Sequence, residues 1–397
     1  MPIFSSNELV RRQSSFIKGM VEQNLDAALF TTTDAIYYIS GVPLLSPWGR
    51  PTLALLCADG DGVIVGSNIE KDSMENNTNL SKVLSYGDDY DVHSSALTLA
   101  FDFLKSKKKL NHRIGIEKDQ ISLDYYQRLK TAFPDADYID ISHLIYQLRI
   151  IKSEEELAIL RLAGTVAKIG ANAFLESLQV NATELSVCAY AVSEMNKALA
   201  AIYPQELSPV GAATSSYAYC HSGPLHTMTP HAHPPGKRIK DNEIIALNVF
   251  PVIWGYCSEL ERTFILGEPD GERLKALSAI NEATDECKKA LKPGAVASDI
   301  DQLAVQILTG KHGFCKDYIR HGTGHSMGIM IGASGREDLG ELRSYNKKRI
   351  FPDMVISIEP ALYIPGLGGF RHSDVMEVTE SGSICQTLFP IDLNSHQ

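Results

Sequence analysis

Cysteine is sparse and scattered in this chain of 397 residues. The seven, Cys57, Cys188, Cys220, Cys257, Cys287, Cys315 and Cys385, are odd in number and never form a CxxC pair. That spacing argues against a disulfide framework and against a structural zinc site. Basic runs are equally scarce. The longest, Lys107–Lys109, reads as a solvated loop or helix end, and the formal net charge is −11, so nucleic acid is not expected as a partner. No stretch approaches the roughly 18 uninterrupted apolar residues of a membrane span. The start, Met1-Pro-Ile-Phe-Ser-Ser-Asn-Glu-Leu, lacks the basic and apolar regions of a secretory signal. A cytoplasmic protein with no membrane partner is the expectation. No short-period repeat or low-complexity segment is present.

What the chain does have is apolar mass: 44% hydrophobic against 21% charged residues. A sizeable core can form, and at about 150 residues per domain the length predicts two to three domains. Up to about residue 150, strand-like and helix-like segments alternate. Strands are expected at Asp26–Thr32, Thr52–Cys57, Gly62–Val65, Arg113–Glu117 and Ala136–Ile141, with a hairpin signal at Asp59-Gly-Asp-Gly. Helical spacing occupies Ala96–Lys107 and Asp124–Phe133. Ser153 followed by Glu156 is a capping box that opens a helix with Leu157, Leu160, Ala163 and Ala167 on one face. Domains of 1–152 and 153–397 follow. A second long helix, 183–200, precedes a Gly/Ser/His/Pro-rich segment, 208–236, which reads as a long functional loop. Strands at 244–250 and 257–266, helices at 272–291 and 298–311, and a β-rich final third complete an α/β (α+β) chain.

Histidine is clustered where the chain is punctuated by glycine and proline. His221, His226, His231 and His233 share one segment, and His321 and His325 form HGTGH. Such loops expose imidazoles to chemistry. Carboxylates accompany them: Glu259 and Glu261 in Cys-Ser-Glu-Leu-Glu-Arg-Thr, and Glu359 in Ile-Ser-Ile-Glu-Pro. In a strand Glu259 and Glu261 share a face and Arg262 turns the other way. That face suits a divalent metal or a cationic substrate, or it is an exposed strand edge. Cys257 has nothing beside it in sequence to lower its pKa, which argues against a nucleophile.

Leu247-Asn-Val-Phe-Pro-Val-Ile-Trp-Gly-Tyr-Cys-Ser-Glu-Leu-Glu-Arg-Thr-Phe, the Gly-Thr-Gly-His-Ser-Met-Gly loop, and Ser357-Ile-Glu-Pro leading to Gly368-Gly-Phe-Arg resemble the pita-bread enzymes: methionine aminopeptidase, aminopeptidase P, prolidase and creatinase. The resemblance covers nearly the whole chain, and it implies a creatinase-type α/β N-terminal domain before a C-terminal pita-bread domain. Family metallopeptidases hold two metal ions with Asp, Asp, His, Glu and Glu, positions that fall here on Asn248, Glu259, His325, Glu359 and Ser373. With Asn248 neutral and Ser373 in place of a bridging carboxylate, a dinuclear site would be poorly neutralised.

Creatinase works without metal, and Asn248-x-Phe-Pro-x-Ile-x-Gly-Tyr with Leu260-Glu-Arg-Thr is similar to it. The resemblance implies His231 as the catalytic histidine, with His233 the alternative after a two-residue shift. It implies Glu261 and Glu359 as the grip on a guanidinium, and Arg336 and Arg50 as holders of the substrate carboxylate. Arg50 would come from the partner of a homodimer. Trp48, Tyr256, Glu259 and His325 complete the substrate pocket in this reading, with no cofactor and no metal. A guanidino acid, cationic at one end and anionic at the other, would lie between two carboxylates and two forked donors while a histidine moves the proton. Glu259 where creatinase has a small apolar residue, Trp48 for a phenylalanine, and Gly332 for a frequent third histidine set this chain apart.

The expected activity is therefore metal-independent hydrolysis of a C–N bond in creatine or a related small zwitterion. The alternatives are a metal-dependent Xaa-Pro peptidase with a mononuclear site at Glu259, His325 and Glu359, or a non-catalytic ligand-binding relative.

Overall fold

A computed structural model describes residues 3–43, 50–87, 91–107, 113–203, 214–268, 270–331 and 339–391. The chain divides into two compact units, the first built on Met1–Arg149 and the second on Ile150–Tyr203, Thr214–Gly328 and the C-terminal stretch.

In the first unit, a six-stranded sheet takes the order Lys82–Tyr86, Gly62–Ser67, Leu53–Cys57, Ala27–Phe30, Arg113–Ile116, Asp137–Asp140. The Asp59–Gly62 signal does make a hairpin: Leu53–Cys57 runs antiparallel to Gly62–Ser67, and Gly60 supplies the left-handed φ of +93°. Ala27–Phe30 pairs antiparallel with Leu53–Cys57 and parallel with Arg113–Ile116, and the two outer pairs of the sheet are parallel as well. Strand Lys82–Tyr86 escaped the sequence reading because its Lys-Val-Leu-Ser-Tyr is too short and polar to alternate clearly. Helices Val92–Lys105 and Leu123–Ala132 cover a core of Leu29, Leu55, Val63, Val65, Phe101 and Ile114.

The second unit opens with helix Glu154–Ser177, and the capping box closes as read. The Glu156 N–H donates to Ser153 Oγ at 3.3 Å, and the Ser153 N–H donates to Glu156 Oε2 at 3.0 Å. By length and composition this helix is apolar enough to cross a membrane, but most of its apolar window is buried inside the protein. It packs on helix Glu184–Ile202 and on strand Glu243–Ile253. That strand is the middle of a sheet, with Leu260–Leu266 on one edge and Ser215–Ser222 on the other. The expected long loop is therefore corrected. Ser215–Ser222 is an eight-residue strand paired antiparallel with Glu243–Ile253, because Ser, Tyr, Ala and Cys alternate along it. Residues 208–213 lie outside the described residues. Helices Gly271–Ala290 and Ala297–Val305 follow, then short strands that carry the HGTGH and Ile-Glu-Pro motifs to one place.

Candidate active site

Register brings the site together. Strands Leu260–Leu266 and Glu243–Ile253 place Glu261 opposite Asn248, and an isolated bridge sets Glu261 opposite Ser373. Glu259 sits one residue before its strand begins, and the period of two still delivers both carboxylates to the same site. On the other side, His325 forms a two-residue strand with Gly324, and its N–H donates to Ser357 Oγ at 3.1 Å. Gly324 is needed by packing: a Cβ there would come within 1.9 Å of the Ser357 carbonyl oxygen. Glu359 follows strand Val355–Ile358, and its N–H donates to the Thr323 carbonyl at 2.7 Å.

Glu259, His325 and Glu359 converge, with one ligand atom of each within 4.8 Å of the others. His325 Nε2 lies 3.7 Å from Glu259 Oε2 and 3.7 Å from Glu359 Oε1. Its Nδ1 faces the Ser326 carbonyl at 3.0 Å and donates to it, which leaves the Nε2 lone pair turned toward the two carboxylates. The Ser373 hydroxyl donates to Glu259 Oε1 at 2.7 Å.

Arg371 was not given a role from the sequence, yet it lies at the centre of the charge arrangement. Its Nη2 is 2.5 Å from Glu261 Oε1 and donates to Asn248 Oδ1 at 3.2 Å, and its Nη1 is 3.9 Å from Glu359 Oε2. The signal was available: Arg371 and Ser373 are two apart, so an extended backbone turns them to one side. Burial pushes the Glu261 carboxyl up, and the Arg371 guanidinium opposes that shift. The resemblance implies Glu261 as part of a grip on a substrate guanidinium, and here the chain's own guanidinium lies against it.

His321 and Tyr363 form a second pair that the sequence reading left unassigned. His321 Nδ1 donates to the Gly322 carbonyl at 2.8 Å, so Nε2 accepts from the Tyr363 hydroxyl at 3.0 Å. Burial, with the nearby Arg371 charge, pushes His321 down to about 4, and burial pushes Tyr363 up to about 12. His372, fully buried, is pushed down to about 3 by burial and by Arg262. Unfolded histidines take up a proton near 6.5, while these two take theirs well below that. The unfolded state therefore binds more protons between these values, and stability falls as pH drops below about 7. By pH 4.5 each histidine removes about 2–3 kcal/mol. Urea unfolding at pH 7 and pH 4.5 measures this, and His372→Asn should flatten the slope; an equal slope in that variant overturns the assignment.

His231 is exposed, and its charge adds to the depression of His321. Its loop is pinned by His221, whose Nε2 donates to the Ala232 carbonyl at 2.7 Å, and farther along by His226 Nδ1 on buried Glu184 at 2.9 Å. His233 is exposed too, with Nδ1 turned to the adjacent Pro234 carbonyl at 3.1 Å. Tyr256 is corrected: it is fully buried and its hydroxyl donates to Glu156 Oε1 at 2.8 Å, so it braces the first helix and does not line a pocket. Cys257 is buried and burial pushes its thiol up, which suits an inert packing residue. Trp48, Gly332 and Arg336 lie outside the described residues, and Arg50 is a half-buried residue of the first unit.

A five-ligand, two-ion set is not met by these residues. Asn248 and Ser373 carry no carboxylate, and a guanidinium lies between Asn248 and Glu261. The His325–Glu259–Glu359 set does fit one ion, with an imidazole nitrogen and two carboxylates presented together.

Solved structures with this fold include prolidases, dipeptidases and X-Pro aminopeptidases. A prolidase from Thermococcus sibiricus is 22% identical with a TM-score of 0.83, covering 98% of this chain and 100% of that one. A dipeptidase from Pyrococcus horikoshii OT3 is 25% identical with a TM-score of 0.79, covering 96% and 98%. Among curated proteins, a creatinase from Bacillus sp. (strain B-0618) is 28% identical over 400 residues, 98% of this chain and 92% of that protein. The putative dipeptidase YkvY of Bacillus subtilis (strain 168) is 26% identical over 97% of this chain and 98% of its own length. Residues 12–151 match the creatinase/prolidase N-terminal domain, and residues 158–380 match metallopeptidase family M24. The chain belongs to metallopeptidase family M24, a hydrolase of the pita-bread fold with a creatinase-type N-terminal domain.

Proposed function

We propose that this protein is a metal-dependent hydrolase of amide C–N bonds in small peptides, of the Xaa-Pro dipeptide type. The observation that carries the reading is the convergence of Glu259, His325 and Glu359 with the His325 tautomer already set by the Ser326 carbonyl. These three residues would hold one divalent ion, which when bound supplies Lewis-acid polarisation of the scissile carbonyl and acidification of a water. We favour this over the metal-free cleavage of creatine that the motifs imply, because Glu261 is engaged by Arg371 and Glu259 adds a carboxylate beside His325. The names of the relatives point the same way, with prolidases and dipeptidases among them.

The chain's own residues supply the rest of the chemistry. In this reading His231, exposed and acting electrostatically on His321, carries the proton from the attacking water to the leaving nitrogen. The His321–Tyr363 pair stays neutral across the physiological range, so it orients polar groups of the substrate without exchanging protons. Arg371 keeps Glu261 from competing for a cationic substrate end.

The test is a substrate panel of Xaa-Pro dipeptides, N-acyl amino acids and guanidino acids, run with Mn²⁺ and with EDTA. The expected result is dipeptide turnover that EDTA abolishes, with creatine untouched. Urea release from creatine that survives EDTA would restore the metal-free reading. No turnover on any member, with ligand binding unchanged in His231→Ala, would identify a binding protein.

A further inference from the structure

We infer that the Arg371 guanidinium is a built-in second cation of this centre: the site takes one divalent ion, and Glu359 bridges that ion and the arginine. The inference rests on the reading that Glu259, His325 and Glu359 hold an ion.

The two oxygens of Glu359 face different partners. Oε1 looks toward His325 Nε2 at 3.7 Å, and Oε2 toward Arg371 Nη1 at 3.9 Å. Glu259 is divided in the same way, with Oε2 toward His325 at 3.7 Å and Oε1 held by the Ser373 hydroxyl at 2.7 Å. Each carboxylate thus offers one oxygen to the His325 side while the other faces a donor that belongs to the chain. A carboxylate shared between two cations has this division, and here the second cation is covalently attached.

Arg371 is held in that position. The protein buries it, its N–H donates to Thr263 Oγ1 at 2.9 Å, and the Thr263 hydroxyl donates to its carbonyl at 3.0 Å. Asn248 turns its oxygen to the guanidinium, because its amide nitrogen donates to the Tyr219 carbonyl at 3.3 Å. A neutral amide suits a guanidinium neighbour and is a weak ligand for a divalent ion. Arg371 lies against Glu261, which leaves Glu259 and Glu359 as the two carboxylates presented with His325 to one divalent cation. Glu261 Oε2 is buried with no hydrogen-bond partner among the described residues. Removing the guanidinium would therefore leave oxygens of Glu261, Glu359 and Asn248 around one space, a set of hard ligands.

The experiment counts ions. Full-length protein is dialysed to equilibrium against Mn²⁺, and bound metal per chain is measured by atomic emission. Wild type should bind one ion. Arg371→Met, which keeps the aliphatic bulk and removes the charge, should bind two, and Arg371→Lys, which keeps the charge, should stay at one. Two ions in wild type or in Arg371→Lys would overturn the inference, as would one ion in a folded Arg371→Met protein. Should Arg371→Met fail to fold, the wild-type and lysine counts still decide. No ion in wild type would sink the metal reading together with the inference, whereas one ion without dipeptide turnover would sink the proposed substrate alone.

Discussion

Replacing His325 by alanine should strip the protein of retained divalent metal and lower kcat/KM on a dipeptide by at least about 10³-fold. The size follows from the several kcal/mol of transition-state stabilisation that a Lewis acid supplies, at about 1.4 kcal/mol per factor of ten. His325 is the one nitrogen ligand of the set, and its Nε2 is 3.7 Å from a carboxylate oxygen on either side. Removing it leaves Glu259 and Glu359 facing each other without the group that separates them. A graded comparison strengthens the result. Ser373→Ala removes only the hydroxyl that orients Glu259, and such supporting partners are worth about 10–100-fold in metal affinity. Metal content after dialysis and steady-state kinetics on both variants give the readout. Full activity in His325→Ala would exclude this residue from the site.

Arg262→Ala should cost about 3–5 kcal/mol of stability, the range for breaking a buried ion pair by removing one member. Arg262 is 1% exposed. Its Nη2 donates to Asp374 Oδ1 at 2.7 Å and to the Phe389 carbonyl at 3.0 Å, and its Nε donates to the Pro390 carbonyl at 3.2 Å. Its Nη1 donates to the carbonyls of Glu261 at 2.8 Å and Ser373 at 2.9 Å. Alanine would remove the guanidinium donor from the Phe389 and Pro390 carbonyls, while the Glu261 and Ser373 carbonyls would keep each other's backbone N–H, and among the described residues Lys288 would remain as the charge partner of Asp374. The same guanidinium clamps the two backbone segments that carry Glu261 and Ser373, so activity should fall along with stability. Urea unfolding measures the first and kcat the second. A loss below about 1 kcal/mol would show the pair to be dispensable.

Much of the fold was legible because it rests on local signals. The capping box at Ser153 and Glu156, the hairpin at Asp59–Gly62 and the apolar stripe on helix Glu154–Ser177 are patterns within a few residues of chain. Where the local pattern was ambiguous the reading failed. Ser215–Ser222 reads as a loop in the sequence because its alternation is carried by small and polar residues, and pairing with Glu243–Ile253 is what makes it a strand. Tyr256 was placed in the pocket by its motif, although its hydroxyl reaches back to Glu156.

The site divides along the same line. The sequence by itself determined which residues can carry chemistry, since histidines at punctuated turns and carboxylates two apart on a strand are written in residue type and spacing. It also determined the family, through motifs whose order and separation survive at 28% identity or less. Tertiary structure alone decided how those charges are shared. Whether Glu261 meets a substrate or Arg371, and whether Glu259 stands free or is held by Ser373, depends on contacts between residues more than a hundred positions apart. Electrostatic energy depends on distance in space, and in a buried site a guanidinium 2.5 Å away reverses what a carboxylate can bind. Composition, with its net charge of −11, carries no record of that pairing.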